Sequence, residues 1–301
     1  MRILVTGATG FIGKHAVAGF TAAGHQVWSI SRSPAGPPGV VEHLQHDLGE
    51  PLPPGRVPAI DAVVHLAGHG SVDAAIADPA AAVRQNAQTT LHVLEVARHS
   101  NASFILASSQ RIYRPRRRAL PEGAAKQPIE PYGYTKLVAE LYVEMAGRVY
   151  GVPGTVLRMF SVYGPGQLIA GGQSGVVAIF ATRALAGDEL VVMSRHPKDF
   201  VEVSDVVQAL TLALARPATP ARAYNIGAGR ATSLTALARA VRAATGSTSP
   251  IVERIGDEGP GGLVADIRRA QAELGFEPRV GLEEGLHRYV KWIRSSRTHS
   301  P

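Results

Sequence analysis

Short apolar runs alternate with stretches of helical periodicity through the first half of the chain. The run Ile3-Leu4-Val5-Thr6 precedes helical spacing from Phe11. Further runs begin at Gln26 (QVWSI), Val40 (VVEHLQ), Asp61 (DAVVHLA) and Ser103 (SFILASS). Apolar positions recur at helical spacing across 79–100 and again from about Tyr132 to Tyr150, followed by a strand pattern at Gly154 (GTVLRMF). Continuous apolar strands separated by helices describe a parallel sheet covered on both faces. After Gly164-Pro165 the chain turns glycine-rich (QLIAGGQSG). A strand-like YNIG follows at Tyr224, with helices predicted near 234–245, 266–274 and 282–294. The expected fold is α/β: a doubly wound parallel sheet with a smaller C-terminal lobe. Residues 1–164 and about 199–227 are assigned to the sheet domain, and about 165–198 and 228–294 to the lobe. Residues 295–301 read as a frayed tail.

Composition narrows the chemistry. The 301 residues are 45% hydrophobic and 18% charged, enough to bury a sizeable core. The absence of cysteine excludes a disulfide scaffold, a thiolate nucleophile, an iron–sulfur cluster and zinc fingers. The net charge of +7 suits anionic ligands. No nucleic-acid reader motif is visible, so small phosphorylated metabolites are expected rather than nucleic acid. No apolar window is long enough to span a bilayer and no targeting segment is legible, which predicts a cytoplasmic location. His65 and His69 straddle a strand end without carboxylate support, so no metal site is expected. Ser108 and Ser109 are not in a nucleophile-elbow motif, which disfavours serine hydrolysis.

Gly7-Ala-Thr9-Gly10-Phe11-Ile12-Gly13 lies between the first strand and the first helix. Glycines at this spacing allow a tight turn, close approach of backbone to a pyrophosphate and packing of helix on strand, while the helix N-terminus offers N–H groups to phosphate. The placement predicts a dinucleotide-binding Rossmann domain. Such domains usually end the second strand on an acidic residue that binds the ribose hydroxyls. Here the strand ends Ser31-Arg32-Ser33, which offers donors and no repulsion to a 2′-phosphate, so NADP(H) is favoured and NAD remains possible. Asp47, followed by Leu48 after the third strand, is placed to accept from the adenine amino group.

Tyr132 and Lys136 stand four apart at a predicted helix start and therefore share a face. A neighbouring ammonium favours the phenolate and brings a tyrosine toward useful acid–base range. Ser109 ends the strand beside them, where ligand crevices form in such sheets, and its hydroxyl is suited to hydrogen-bond a reacting oxygen.

With these residues in place, the chain resembles the extended short-chain dehydrogenase/reductase family of NAD(P)-dependent sugar epimerases, dehydratases and reductases. The resemblance rests on VTGATGFIG, VVHLAG (Leu66-Ala67-Gly68), the helix around Asn86, ASSQRIY, PYGYTK, RMFSVYGPGQ, KDFVEVSDVV, YNIGAG and LGFEPRVGLEEGL, in that order over nearly the whole chain. It implies Tyr132 as acid/base, Lys136 on the nicotinamide ribose, Ser109 polarising the substrate oxygen, and Leu66, Ala67, Gly68 and Asn86 around the cofactor. It also implies a homodimer packed through helices of the first domain.

Departures from the family pattern bear on the reaction. Gln110-Arg111 replace the Asp-Glu pair of the dehydratases, which disfavours elimination of water. Ser161 stands for the family's Asn, and Lys198 for the Arg of its RDF motif, keeping charge but losing the bidentate fork. Glycines in GDEGPGGLVAD fill places where nucleotide-sugar enzymes carry diphosphate-binding arginines. Ser109, Gln110, Ser161 and Lys198 are the expected substrate contacts. Arg116, in the run Arg114–Arg118, is a candidate for a substrate phosphate, against a solvated charge run. The first expectation is reduction of the 4-keto group of a nucleotide-linked sugar by NADPH. The alternative is a nucleotide-sugar 4-epimerase holding NAD. A non-catalytic dinucleotide-binding regulator is the least favoured, since Ser109, Tyr132 and Lys136 are all retained.

Overall fold

The computed structural model describes residues 1–53, 55–167, 175–256 and 261–297. Seven parallel strands form the main sheet: β1 (Arg2–Thr6), β2 (Gln26–Ser31), β3 (Glu42–Gln45), β4 (Ala62–His65), β5 (Ser103–Ser109), β6 (Gly154–Met159) and β10 (Arg222–Ile226). Their order is β10-β6-β5-β4-β1-β2-β3. The chain winds one way from β1 to β3 and the other way from β4 outward. The switch point, where such sheets open a crevice at their carboxyl ends, therefore lies between β1 and β4.

Alternation along each strand divides the core. Ile3, Val5 and Val64 face the layer of helices α1 (Phe11–Ala22) and α7 (Val203–Leu214), packing on Val17, Phe20, Val206 and Leu210. Leu4, Val63 and Phe104 face α4 (Thr89–Ser100) and α5 (Pro131–Tyr150), packing on Val93, Leu94, Ala139 and Val143. Successive strand side chains point to opposite faces, so one apolar run feeds two helical layers.

The second lobe is smaller. Helices α6 (Val176–Ala186), α8 (Leu234–Thr245) and α9 (Leu282–Arg297) enclose a separate apolar cluster with Leu190, Val192 and Phe200. Two short sheets serve it: β8 (Leu190–Val192) pairs with β11 (Ile251–Glu253), and β7 (Ser161–Tyr163) pairs with β9 (Phe200–Glu202). Asp199 ties the lobes together, accepting backbone N–H groups from Ala228 (2.7 Å), Gly229 (3.0 Å) and Ala265 (3.1 Å).

The structure refines several expected elements. Helix α7 was not visible as a separate helix in the sequence pattern, yet it covers half of one sheet face. The 79–100 stretch is α3 (Pro79–Ala82), a π-helical turn over Val83–Gln88, and α4. The helix expected over 266–274 is shorter. Ala265 is bridged to Leu120, Asp266 caps Arg268 N–H, and the final turn, Ala270–Leu274, is π-helical. The strand expected from Val40 begins at Glu42. Parts of the glycine-rich stretch (168–174), of GDEGPGG (257–260) and of the tail (298–301) lie outside the described residues. Among the described residues, no helix is long and apolar enough to cross a membrane.

Candidate active site

The glycine loop closes against the end of β4. Gly7 has φ +66, and a Cβ there would sit 2.7 Å from the Ala67 nitrogen. At Gly13 a Cβ would stand 2.1 Å from the Gly7 carbonyl oxygen, so only glycine lets α1 approach the loop this closely. Gly10 caps α1 without a side-chain hydrogen bond, leaving the first helical N–H groups without a side-chain partner. These groups are the cradle a pyrophosphate requires.

A cleft of about 570 Å³ runs from this loop to the end of β2. Gly7, Thr9, Gly10, Ser31, Arg32, Ser33, Asp47, Leu48, Leu66, Ala67 and Gly68 line it. Its shape and residues fit a dinucleotide: glycine backbone for the phosphates at one end, hydroxyls and a guanidinium at the other. Arg32 is exposed, and Ser31 Oγ accepts from the Ser33 N–H at 3.2 Å. His43 donates from Nε2 to the Ser33 carbonyl (2.9 Å) and accepts from Ser29 at Nδ1 (2.7 Å), which fixes the turn. Asp47 Oδ1 accepts from Gly49 N–H at 2.9 Å, so one of its oxygens builds the local turn.

Asn86 is buried in the π-helical turn, and its amide is engaged on all sides. Oδ1 accepts from His69 N–H (2.8 Å), while Nδ2 donates to the His69 carbonyl (3.2 Å) and to Thr135 Oγ1 (3.0 Å). It clamps the Gly68-His69 loop to α5. Gly68, at φ +149, leaves room for it, since a Cβ there would lie 2.6 Å from Asn86 Oδ1.

A second cleft, about 550 Å³, adjoins the first. Phe11, Ile12, Gly13, Ser109, Gln110, Arg111, Tyr132, Lys136 and Ser161 are among its walls. Glu130 caps α5, accepting from Tyr132 N–H (2.8 Å) and Gly133 N–H (3.1 Å), and Pro131 occupies the first helical position. This start places Tyr132 in the first turn and Lys136 one turn later. Lys136 Nζ donates to the Ala107 carbonyl at 3.0 Å and lies 6.0 Å from the Tyr132 ring centroid.

Burial pulls the Lys136 ammonium down to about 8, with the Glu140 carboxylate acting the other way. Burial raises the Tyr132 phenol, while the Ser109 hydroxyl and then, after the opposing Glu130 carboxylate, the Arg111 charge favour the phenolate. The three predicted residues thus meet in one place, with a proton-bearing phenol, an ammonium and a hydroxyl facing one cavity. Tyr134, two residues from Lys136, is exposed on the other side of α5.

The outer part of the site, about 360 Å³, is lined by Gln110, Arg111, Ser161, Lys198, Gly261 and Gly262, among others. Gln110 Nε2 donates to Ser161 Oγ at 3.1 Å. Arg116 is not among its walls. It is exposed, and its guanidinium donates to the carbonyls of Arg118 (3.3 Å) and Ala119, because the loop backbone pairs with Gly262 and curls around it. The arginine that faces the cavity is Arg111, a residue whose role was not foreseen from the sequence. Its place two positions after Ser109 was the available signal.

Beneath the site lies a buried ionic network. Arg158 and Glu140 are 2% and 5% exposed and pair at 2.7 Å; Glu140 also accepts from Ser108 (2.5 Å), and Arg158 donates to Tyr113 (2.6 Å). It locks the end of β5 to α5 and so holds Ser109 near Tyr132.

Residues 3–227 match the model of the NAD dependent epimerase/dehydratase family. The chain belongs to that family. The relatives below are similar over nearly the whole of this chain. The UDP-glucose 4-epimerase of Mycolicibacterium smegmatis is 30% identical, over 98% of this chain and 99% of that protein. Among solved structures, a UDP-glucose 4-epimerase from Thermotoga maritima with UDP-glucose superposes with a TM-score of 0.88. It is 31% identical, over 99% of this chain and all of that one. A Thermus thermophilus UDP-glucose 4-epimerase in complex with NAD gives 0.85 at 28% identity, over 98% of this chain and all of that one. The epimerases and dehydratases that it resembles are enzymes, and so is this chain, which carries the same Rossmann sheet.

Proposed function

We propose that this protein is a nucleotide-sugar 4-epimerase acting on a UDP-linked sugar with a dinucleotide that stays bound. The reading is carried by one conjunction: Ser109, Tyr132 and Lys136 converge on one cavity in a chain similar end to end to UDP-glucose 4-epimerases. Gln110 and Arg111 offer no carboxyl pair for elimination of water, which speaks against dehydration.

Residues 1–164 and about 199–227 bind the dinucleotide in this reading. Gly7–Gly13 would hold its phosphates, Ser31–Ser33, Asp47 and Leu48 its adenosine end, and Leu66–Gly68 would flank it. The lobe of about 165–198 and 228–294 closes over the sugar nucleotide. A bound nicotinamide supplies reversible hydride acceptance at a sugar carbinol carbon. Tyr132 takes the hydroxyl proton as the carbinol is oxidised and returns it when the ketone is reduced. Ser109 hydrogen-bonds that same oxygen. Lys136 orients the nicotinamide ribose and favours the phenolate. Gln110, Ser161 and Lys198 hold the sugar and its phosphates.

The end of β2 favours a second reading. Ser31, Arg32 and Ser33 suit a 2′-phosphate, and cells keep NADPH for net reduction, so reduction of a 4-keto sugar by NADPH is the competing reaction. The two readings part on one experiment: denature the purified protein and identify the released dinucleotide. Stoichiometric oxidised dinucleotide supports the epimerase. An empty protein that exchanges NADPH freely supports the reductase.

A cytoplasmic homodimer completes the proposal. Val83, Tyr134 and Val138 are exposed and line an apolar groove between the π-helical turn and α5, Leu141 is exposed on the same helix, and a second copy would cover them.

A further inference from the structure

Arg111 and Lys198 bring two cations to one cavity wall. Among the described residues neither forms an ion pair, and Arg111's side chain has no hydrogen-bond partner. Glu130, whose electrostatics Arg111 touches, is spent on two backbone N–H groups. Beside them Gln110 is 8% exposed, and its Oε1 has no partner. Among the described residues, a buried amide oxygen without a partner stands beside two cations without ion pairs, an arrangement that a ligand would complete.

The two cations face different parts of the cavity. Lys198 lines only the outer cleft. Arg111 lines both the outer cleft and the Tyr132–Lys136 cleft. Its backbone N–H donates to Ser109 Oγ at 3.2 Å, which fixes it beside the reacting position, and its charge acts on the Tyr132 phenol. Lys198 is therefore placed for the phosphates and Arg111 for the sugar ring itself. A neutral hexose offers a guanidinium only hydroxyl groups. A planar carboxylate matches its fork with two parallel hydrogen bonds.

We infer that the sugar handled here is an acid, a nucleotide-linked hexuronate, whose ring carboxylate pairs with Arg111 while Gln110 Oε1 accepts from a neighbouring hydroxyl. This rests on the nucleotide-sugar reading above and names its substrate class. It also agrees with a ketone that never leaves the site. A 4-keto hexuronate is a β-keto acid, and its decarboxylation moves the bonding pair of the carboxylate carbon into the ketone and releases neutral CO2. A guanidinium that holds the carboxylate's charge stabilises the state before that loss.

The test is calorimetric titration of the protein with reduced dinucleotide bound, so that the sugar stays at the alcohol level and no β-keto acid forms. The probes are UDP-glucose, UDP-glucuronate and UDP, on wild type, Arg111→Gln and Arg111→Lys. We expect UDP-glucuronate to bind about tenfold tighter than UDP-glucose to wild type, as a charge-assisted pair gives. Arg111→Gln closes that gap by weakening UDP-glucuronate far more than UDP-glucose or UDP, and Arg111→Lys restores part of it. Equal wild-type affinities overturn the inference. So does an Arg111→Gln that weakens UDP-glucose, UDP-glucuronate and UDP alike, because Arg111 then grips the diphosphate and the nucleotide-sugar reading stands. If neither UDP-sugar binds, that reading falls and the inference with it. Matching melting temperatures exclude misfolding of the variants as the cause, and Arg111→Lys remains as the conservative comparison.

Discussion

Lys136 Nζ stands 6.0 Å from the centroid of the Tyr132 ring, one helical turn along α5, and is anchored at 3.0 Å to the Ala107 carbonyl. The anchor comes from β5 and the phenol from the first turn of α5, so the pair exists only when sheet and helix are docked. Removing the phenol hydroxyl leaves this docking intact. Tyr132→Phe is expected to lower kcat by about 10²- to 10⁴-fold, the usual worth of a positioned acid–base group, with sugar-nucleotide affinity nearly unchanged. Steady-state kinetics beside a titration check it; a kcat within a few-fold of wild type removes Tyr132 from the proton path.

The same ammonium carries a signature in stability. Its folded pKa, about 8, lies below the ordinary lysine value of 10.5. Between those values the unfolded chain binds more protons than the folded one, so this group makes stability rise with pH through that window. Below about 8 the charge stays buried at a cost. Lys136→Met removes the cost, and the variant is expected to outlast wild type in urea at pH 7 and to lose most of that advantage as the pH approaches 10.5. Urea midpoints across pH measure it, and parallel curves for the two proteins would contradict it.

Arg158 and Glu140 make a prediction of opposite sign. Breaking a buried pair leaves one charge stranded, at about 3–5 kcal/mol. Glu140→Gln should therefore destabilise strongly, whereas Arg158→Met with Glu140→Gln together should recover part of the loss. Denaturant unfolding of the single and double variants decides this, and additive losses would show that the two residues act separately.

Much of the site was legible because its chemistry is local. The glycines of Gly7–Gly13 and the Tyr132–Lys136 spacing each need only a few consecutive residues, and the apolar runs set the parallel sheet. What stayed hidden depends on contacts distant in sequence. Arg116 reads from sequence as either a phosphate contact or part of a solvated charge run, and only the structure shows its loop paired with Gly262, while Arg111 faces the cavity because a short turn after Ser109 aims it there. Helix α7 is not marked as a helix by the sequence pattern, and only its packing on α1 shows it as half of a core layer. The π-helical turn around Asn86 has no sequence signature; it is set by the bonds to His69 and Thr135.

The β2 end gives a fourth prediction. If the exposed Arg32 guanidinium meets a 2′-phosphate, Arg32→Ala weakens NADP⁺ by about tenfold and leaves NAD⁺ within about twofold, since one charge-assisted contact is lost. Fluorescence titration of both dinucleotides reads the difference. Equal changes for the two would make Arg32 a surface charge.

The most direct test of the account is proton NMR of UDP-glucose and UDP-glucuronate incubated with the protein in D₂O, with no dinucleotide added. Inversion at C4 to the galacto product with hydrogen, not deuterium, retained at that carbon is the predicted result, because the hydride taken from C4 is the one returned. Failure to invert either sugar at C4, or deuterium appearing at C4 of the product, would contradict it.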